Sequence, residues 1–329
     1  MLAGARDAKR LLIEADLKPA QGMRFQPTGF PSLGAAEFRG PNGIDVLLVE
    51  SAQSMANRLE STAWDDPKED LVEVFSGLPY VLTTVDGRQT DSIREAHRLN
   101  SPYLIGGLKD ELSKLAGVAG RKAKGKASAD DETADESSGV DLRKLAHAVF
   151  HFDPNSVLHG VFLEKIVGTA RLTRVLSAFI EATGVHAAES GGVKNDRVDP
   201  VGRAKGGADK GFGNVPYART EYTAEKIVAY FSIDLALLRS YGLGESAENL
   251  LTAMALWKIQ QFLESGGRLR TACDFEVDGQ PRVTRPNGFT LPSLQQLEGV
   301  IASEITNCRE AGLFAQPAKT AVTFDVKAK

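Results

Sequence analysis

Between Gly191 and Arg219 the chain sets Lys194, Arg197, Arg203, Lys205, Lys210 and Arg219 among Asn195, Asn214, Phe212 and Tyr217. Cationic side chains neutralise phosphates and rings offer a stacking surface to any base, so the mixture suits a ribose-phosphate strand with unstacked bases. Seven glycines and two prolines fall between Gly191 and Tyr217. Glycine lets the main chain approach an anion and present its N–H groups to it. The stretch is too polar to fold on a core of its own and is expected to project from the body; a plain solvated loop is the competing reading.

A second candidate is the segment from Glu50 to Arg58. If the apolar run Ile44 to Val49 is a strand, Ser51, Gln53, Ser54, Asn57 and Arg58 line the first turns of the helix that follows. Free N–H groups and the positive dipole end favour an anion there; simple capping by Ser51 is the alternative. Between Asp91 and Asn100, Arg94 and Arg98 are four apart, on one face if the segment is helical, with His97 beside them. A surface ion-pair face with Asp91 and Glu95 is the plainer explanation. Arg171 and Arg174 interrupt an apolar run and either face a groove or snorkel at the surface.

Other chemistries lack their signatures. No G-x-x-x-x-G-K-[ST] occurs, and no G-x-G-x-x-G sits between a strand and a helix, which weakens a nucleotide-hydrolase or dinucleotide reading. His147 and His151 share a helical face, but Ala148 stands where the zincin pattern needs glutamate, and packed histidines are the default reading of these two and of His159. No G-x-S-x-G elbow is present, and Cys273 and Cys308 lie in no nucleophile motif. No cofactor or metal is expected.

The elements that must position these groups follow from pattern. The 329 residues, 42% hydrophobic and 25% charged, make one large domain or two small ones. No run approaches a membrane span, and the charged N-terminus leads into no apolar signal region, so the reading is a cytosolic protein with two reduced, half-buried cysteines and no disulfide framework. The net charge of −4 hides its distribution: residues 60–73 and 127–139 each carry −5, leaving about +6 on the rest. A basic surface is thereby permitted.

Residues 117–139, basic and then acidic with no apolar periodicity, read as a disordered charged insertion. Strands are expected at Ile44 to Val49, Leu78 to Thr84 (ending in the turn pair Asp86-Gly87), Glu225 to Leu235, Arg268 to Val277 and Ala321 to Val326. Helices are expected through Leu59, from Ser246 to Ser265 with Gly266-Gly267 as the stop, and over Leu294 to Cys308. Strands interspersed with amphipathic helices predict an α/β or α+β sheet with helices on one face.

Five segments also carry a family resemblance: RFQPTGF from Arg24, LVESAQSMANRLE from Leu48, SIREAHRLNSPY from Ser92, SGGVKNDR from Ser190 and RLRTACD from Arg268. Together, over residues 20–275, they resemble the CRISPR-associated RAMP backbone subunit, the Cas-seven group, of type I-U (I-G) systems. The resemblance implies a single RRM-like palm, a ferredoxin-type βαββαβ sheet with large insertions, one of them a thumb-like projection at 191–219. It implies several copies stacked along a CRISPR RNA guide held for pairing with target DNA. Its partners would be further copies of itself, a fused processing and capping subunit and a large subunit, with no membrane and no chemical step of its own.

On that resemblance Ser51, Gln53, Asn57 and Arg58 grip guide phosphates, with Arg94, Arg98, Arg171 and Arg174 assisting. Gly191, Gly192, Lys194, Asn195 and Arg197 form a loop against RNA, and Arg203, Lys205, Lys210, Phe212, Tyr217 and Arg219 belong to the thumb. Two alternatives stay open. One is a guide-dependent endoribonuclease using Asp196 or Asp199; the other is a small-molecule enzyme whose glycine-rich loop holds a phosphate.

Overall fold

Alternation builds the centre of the sheet. In the computed structural model, which describes residues 2–30, 32–118, 140–167, 171–203 and 207–324, strand β1 (Arg10–Pro19) turns Leu11, Ile13 and Ala15 inward. An exposed strand β2 (Gly34–Arg39) leads to β3 (Asp45–Glu50), whose Leu47 and Val49 are fully buried. Ser51 then starts helix α1 (Ala52–Ser61) by accepting the Ser54 N–H at 3.3 Å. Met55 and Leu59, four apart, bury completely, each worth about 1.5–3 kcal/mol of transfer free energy.

Strands β4 (Tyr80–Val85) and β5 (Arg88–Asp91) form a hairpin whose turn residues Asp86 and Gly87 both take positive φ, 49° and 77°. Helices α2 (Ile105–Leu115), α3 (Leu142–Phe152) and α4 (Pro154–His159) follow. The chain returns to the sheet as β6 (Leu176–Thr183), with every second residue buried. It runs straight on into β7 (His186–Lys194), comes back through β8 (Val215–Thr223) and re-enters the sheet as β9 (Lys226–Asp234). Helix α5 (Glu245–Glu264), strands β10 (Arg268–Arg270), β11 (Cys273–Val277) and β12 (Arg282–Arg285), helix α6 (Leu294–Glu310) and strand β13 (Lys319–Ala321) follow.

Antiparallel pairing orders the main sheet β10-β11-β1-β9-β6-β3-β2, with β12 also beside β1. Register brings Leu11 opposite Ile233, Ile13 opposite Phe231 and Ala15 opposite Ala229. Leu176, Ala178 and Ile180 continue those rows. This face is buried, and α1, α4 and α5 pack over β6 and β9. The opposite face stays half open, with Phe179 stacked on Tyr230 (centroids 5.0 Å apart) and Arg282 holding Glu14 and Asp16. The structure is thus a mixed α/β fold on an antiparallel sheet.

Several expectations are corrected. Residues 91–100 form no α-helix: the buried Asp91 carboxylate takes the N–H groups of Ile93 and Arg94 at 3.0 and 2.9 Å, which bends the chain into turns and leaves a single 3-10 turn at Arg98–Asn100. Gly191 and Gly192 lie inside β7 rather than in a loop, paired with Ala218 and Tyr217. The expected strand at Arg268 to Val277 is two strands, divided where Ala272 adopts φ +60°. Both cysteines are free and wholly buried rather than half buried. The final strand begins at Lys319, parallel to β4. Residues 119–139 of the charged insertion and Lys205 lie outside the described residues, as do 325 and 326.

Candidate nucleic-acid interface

The β7/β8 hairpin leaves the sheet because β6 and β9 simply continue, and its root is clamped. The N–H of Phe25 donates to the Tyr222 carbonyl at 2.9 Å, and that of Tyr222 donates back at 2.8 Å. Glu221, 4% exposed at its side chain, receives Arg24 at 2.8 Å, Arg219 at 2.9 Å and the Ser190 hydroxyl at 3.1 Å. Arg219 is therefore engaged at the root. At Gly192 a Cβ would stand 2.8 Å from the Tyr217 hydroxyl and 2.9 Å from its Cζ, so a larger residue there would displace that ring. The Tyr217 ring, about half exposed, lies across it.

Beyond the ladder, the Asp196 carboxylate organises the end of the hairpin. It accepts the N–H groups of Val198, Asp199 and Gly213 at 2.9, 3.0 and 3.1 Å, which hold its pKa below the usual carboxylate value. The Asn214 side chain accepts the Asp196 N–H at 2.8 Å, and Lys194 reaches the Gly211 carbonyl at 2.8 Å. Asn195, Arg197, Arg203 and Lys210 are exposed, and Arg197 has no ion-pair partner among the described residues. Val193, Val198, Val201 and Phe212 are exposed alongside them. The hairpin end thus presents cations, amides and apolar surface together.

A second cluster forms around the start of α1. Arg174 donates to the Ala52 carbonyl at 3.2 Å and to the Gln53 side chain, and Gln53 reaches Asn57 at 3.5 Å. Arg174, Arg171 and Arg98 line one groove of about 360 Å³ with His97, Asn100 and His159, and no acidic residue lines it among the described residues. Burial, then the charge of Arg98, lowers the Arg174 pKa against the opposing pull of Glu60. Beneath the groove Lys258, wholly buried, donates to Asn155 at 2.6 Å and meets His159 Nε2 at 3.1 Å. Burial pulls Lys258 down to about 8, partly offset by Glu60 and Asp153. The wholly buried Asp153 is pushed up to about 6, also by burial.

Other expected cations are committed to structure. Arg98, 7% exposed, forms a two-pronged pair with Glu60 at 2.5 and 2.6 Å and reaches the Gly160 carbonyl at 2.9 Å. Arg94 folds back on Asp91 at 2.6 Å, its guanidinium 4.4 Å above the Trp64 ring. Arg58 ties α1 to β10 through the carbonyls of Arg268 and Leu269 at 3.3 and 2.5 Å and faces the buried Glu50 at 3.4 Å. The Ser51 hydroxyl is occupied by its cap. The expected residues therefore divide between the hairpin and the region around α1, where only Arg98, Arg171 and Arg174 line the groove, and no hydrogen bond or ion pair joins the two regions among the described residues.

Sequence reasoning gave no role to Glu50, Glu60, Glu221, Arg270 and Lys258, and read His159 as a packed histidine, which it is. Their partners are distant in sequence, Glu60 from Arg98 by 38 positions and Lys258 from His159 by 99. No described helix is long and apolar enough to cross a membrane, and the described residues contain no group of three metal-binding side chains.

Solved structures similar to the chain include a "CRISPR RNA-guided surveillance complex, pre-nicking" (12% identity, TM-score 0.41, covering 92% of this chain and 89% of that one). They also include Csc2 of Thermofilum pendens (10% identity, TM-score 0.31, covering 92% and 77%). No curated protein matches. The family described as "CRISPR-associated protein GSU0053" matches residues 11–187, from β1 through β6 to the first residues of the hairpin and more than half of the 329. With β2 through β6, α1 and the arginine groove inside a match of more than half the sequence, the chain belongs to this CRISPR-associated family.

Proposed function

We propose that the chain is a non-catalytic backbone subunit of a type I (I-G, formerly I-U) CRISPR effector complex, one that grips the guide RNA and oligomerises along it. The observation that carries this reading is the projecting hairpin, whose end combines Lys194, Arg197 and Lys210 with Phe212 and exposed valines. Phosphates are met by the cations and unstacked bases by the ring. The open sheet face is a poor alternative for a phosphate strand, because Glu14, Asp16 and Glu181 lie on it.

The palm reading rests on order. Four strands lie side by side as β11-β1-β9-β6, with α1 between β1 and β6 in the chain and α5 between β9 and β11. That order supports the βαββαβ reading, with β7/β8 as an insertion in the central hairpin that serves as the thumb. In this reading base pairing supplies specificity for target DNA, and the protein supplies a backbone grip. Partners are further copies, a fused processing and capping subunit and a large subunit, in the cytoplasm. The non-catalytic assignment is supported by Asp196, whose carboxylate is taken up by three backbone N–H groups of its own loop.

Fluorescence anisotropy with single-stranded RNA over a KCl series tests the reading. The logarithm of affinity should fall linearly with the logarithm of salt, with a slope of about −0.7 per phosphate neutralised. The triple variant Lys194→Ala, Arg197→Ala, Lys210→Ala should flatten that slope by about 2 and weaken all RNA sequences alike, since phosphate contacts carry no base information. A salt-independent affinity, or a loss confined to one sequence, would contradict the proposal.

A further inference from the structure

His159 has a proton with nowhere to go. Its side chain is wholly buried and lines the groove with Arg98, Arg171 and Arg174, yet its Nδ1 has no partner. Its Nε2 lies 3.1 Å from the Lys258 ammonium nitrogen, which is wholly buried and also donates to Asn155. An ammonium group has three N–H donors and no lone pair, so Nε2 must accept, and the neutral ring carries its hydrogen on Nδ1. A buried N–H without an acceptor is costly and calls for one.

The rest of the groove asks for the same thing. Arg171 is exposed at its rim, Arg174 is half-buried, and neither has a carboxylate partner among the described residues. The single carboxylate near Arg98 is Glu60, already held two-pronged on its inner side. Asn100, whose side-chain oxygen is unpartnered, can turn its amide to donate. The lining sets donors and cations together, with no acidic residue among the described ones.

We infer that this groove is a subsite for one tetrahedral oxyanion, a backbone phosphate of the bound strand, held by Arg171, Arg174 and the Nδ1–H of His159, with Lys258 as the positioning residue that fixes the histidine tautomer. The inference rests on the RNA-binding reading above, and adds to it a contact made by a buried histidine. Lys258 touches no ligand. It acts by occupying Nε2, so that the ring carries its hydrogen on the unpartnered Nδ1.

The experiment uses the full chain, labelled with 15N-histidine, in long-range proton–nitrogen spectra. His159, assigned with His159→Phe, should show protonated Nδ1 and unprotonated Nε2 in the free protein. A short single-stranded RNA should move its Nδ1 resonance at concentrations matching the anisotropy curve, and inorganic phosphate should do so only at far higher concentration. Arg171→Ala, a surface change, should flatten the salt slope by about 0.7. His159→Phe should weaken RNA binding about tenfold, as expected for loss of one hydrogen bond to a charged group. An Nε2-protonated ring, or wild-type RNA binding that leaves His159 unmoved and is indifferent to Arg171→Ala, overturns the subsite while the RNA-binding reading stands. Phosphate acting as strongly as RNA makes it a free-anion site and overturns the assignment to a strand. Wild-type protein without RNA affinity overturns the reading beneath it as well.

Discussion

Replacing Arg98 with alanine is expected to cost about 3–5 kcal/mol of folding stability, the range for removing one partner of a buried ion pair. Arg98 and Glu60 are each 7% exposed, and their two short contacts leave Glu60 no other cation within bonding distance among the described residues. Without the guanidinium, Glu60 becomes a buried unpaired carboxylate and the Gly160 carbonyl loses its 2.9 Å donor. A domain holds only about 5–15 kcal/mol in total, so the variant should lose a large part of its margin in a urea titration. Arg98→Met combined with Glu60→Gln should recover much of the loss, because the uncompensated charge is then gone. A loss below about 1 kcal/mol for Arg98→Ala would mean that the pair is solvated rather than sealed.

Glu50→Gln should have the second large effect, about 3 kcal/mol, by the same logic with the signs exchanged. Glu50 is 1% exposed and faces two guanidiniums: Arg58, from α1, at 3.4 Å, and Arg270, from β10, in direct contact. Neutralising it leaves two like charges, each on a side chain about a quarter exposed, facing one another across a buried amide. Those arginines also hold backbone carbonyls, Arg58 those of Arg268 and Leu269 and Arg270 those of Gln26 and Val49. The expected result is a loosened β10 and a displaced start of α1, read as faster amide exchange in Arg268–Arg270 together with the lower unfolding midpoint. Adding Arg270→Leu should restore part of the midpoint, and a Glu50→Gln protein as stable as wild type would refute the assignment.

Both effects lie at positions where the amino-acid pattern is silent. The β3–α1 unit was legible because apolar residues, Ser51 and the Met55–Leu59 spacing all agree on one local structure. The same consistency made the Asp86-Gly87 turn and the long helices α5 and α6 readable. Gly191 and Gly192 hid their strand, since glycine has no side chain to show alternation and the partner β8 begins more than 20 residues later. The segment 91–100 misled because Asp91 looks like an exposed helix acid, whereas its carboxylate is buried and bends the backbone.

The site was legible in composition and not in geometry. A projecting polar segment was recognisable from its cations, rings and glycines, all local properties, but its two paired strands were not. Whether an arginine faces solvent or a buried carboxylate often depends on residues far along the chain, which is why the Arg98–Glu60 and Arg58–Glu50 pairs stayed hidden, whereas the Arg94–Asp91 pair matches the plainer local reading. A buried lysine leaves no trace in a helical pattern. Lys258 sits where the α5 periodicity asks only for a long side chain, and its pairing with His159 emerges from the packing of α4 against α5.

The most direct test of the central claim is to express the chain together with a CRISPR repeat–spacer transcript, purify it, and extract and size whatever nucleic acid accompanies it. A backbone subunit that grips a guide should carry RNA of one uniform length, protected from added nuclease and released by high salt. Protein that elutes free of nucleic acid, or with a random mixture of cellular RNA lengths, would contradict the account.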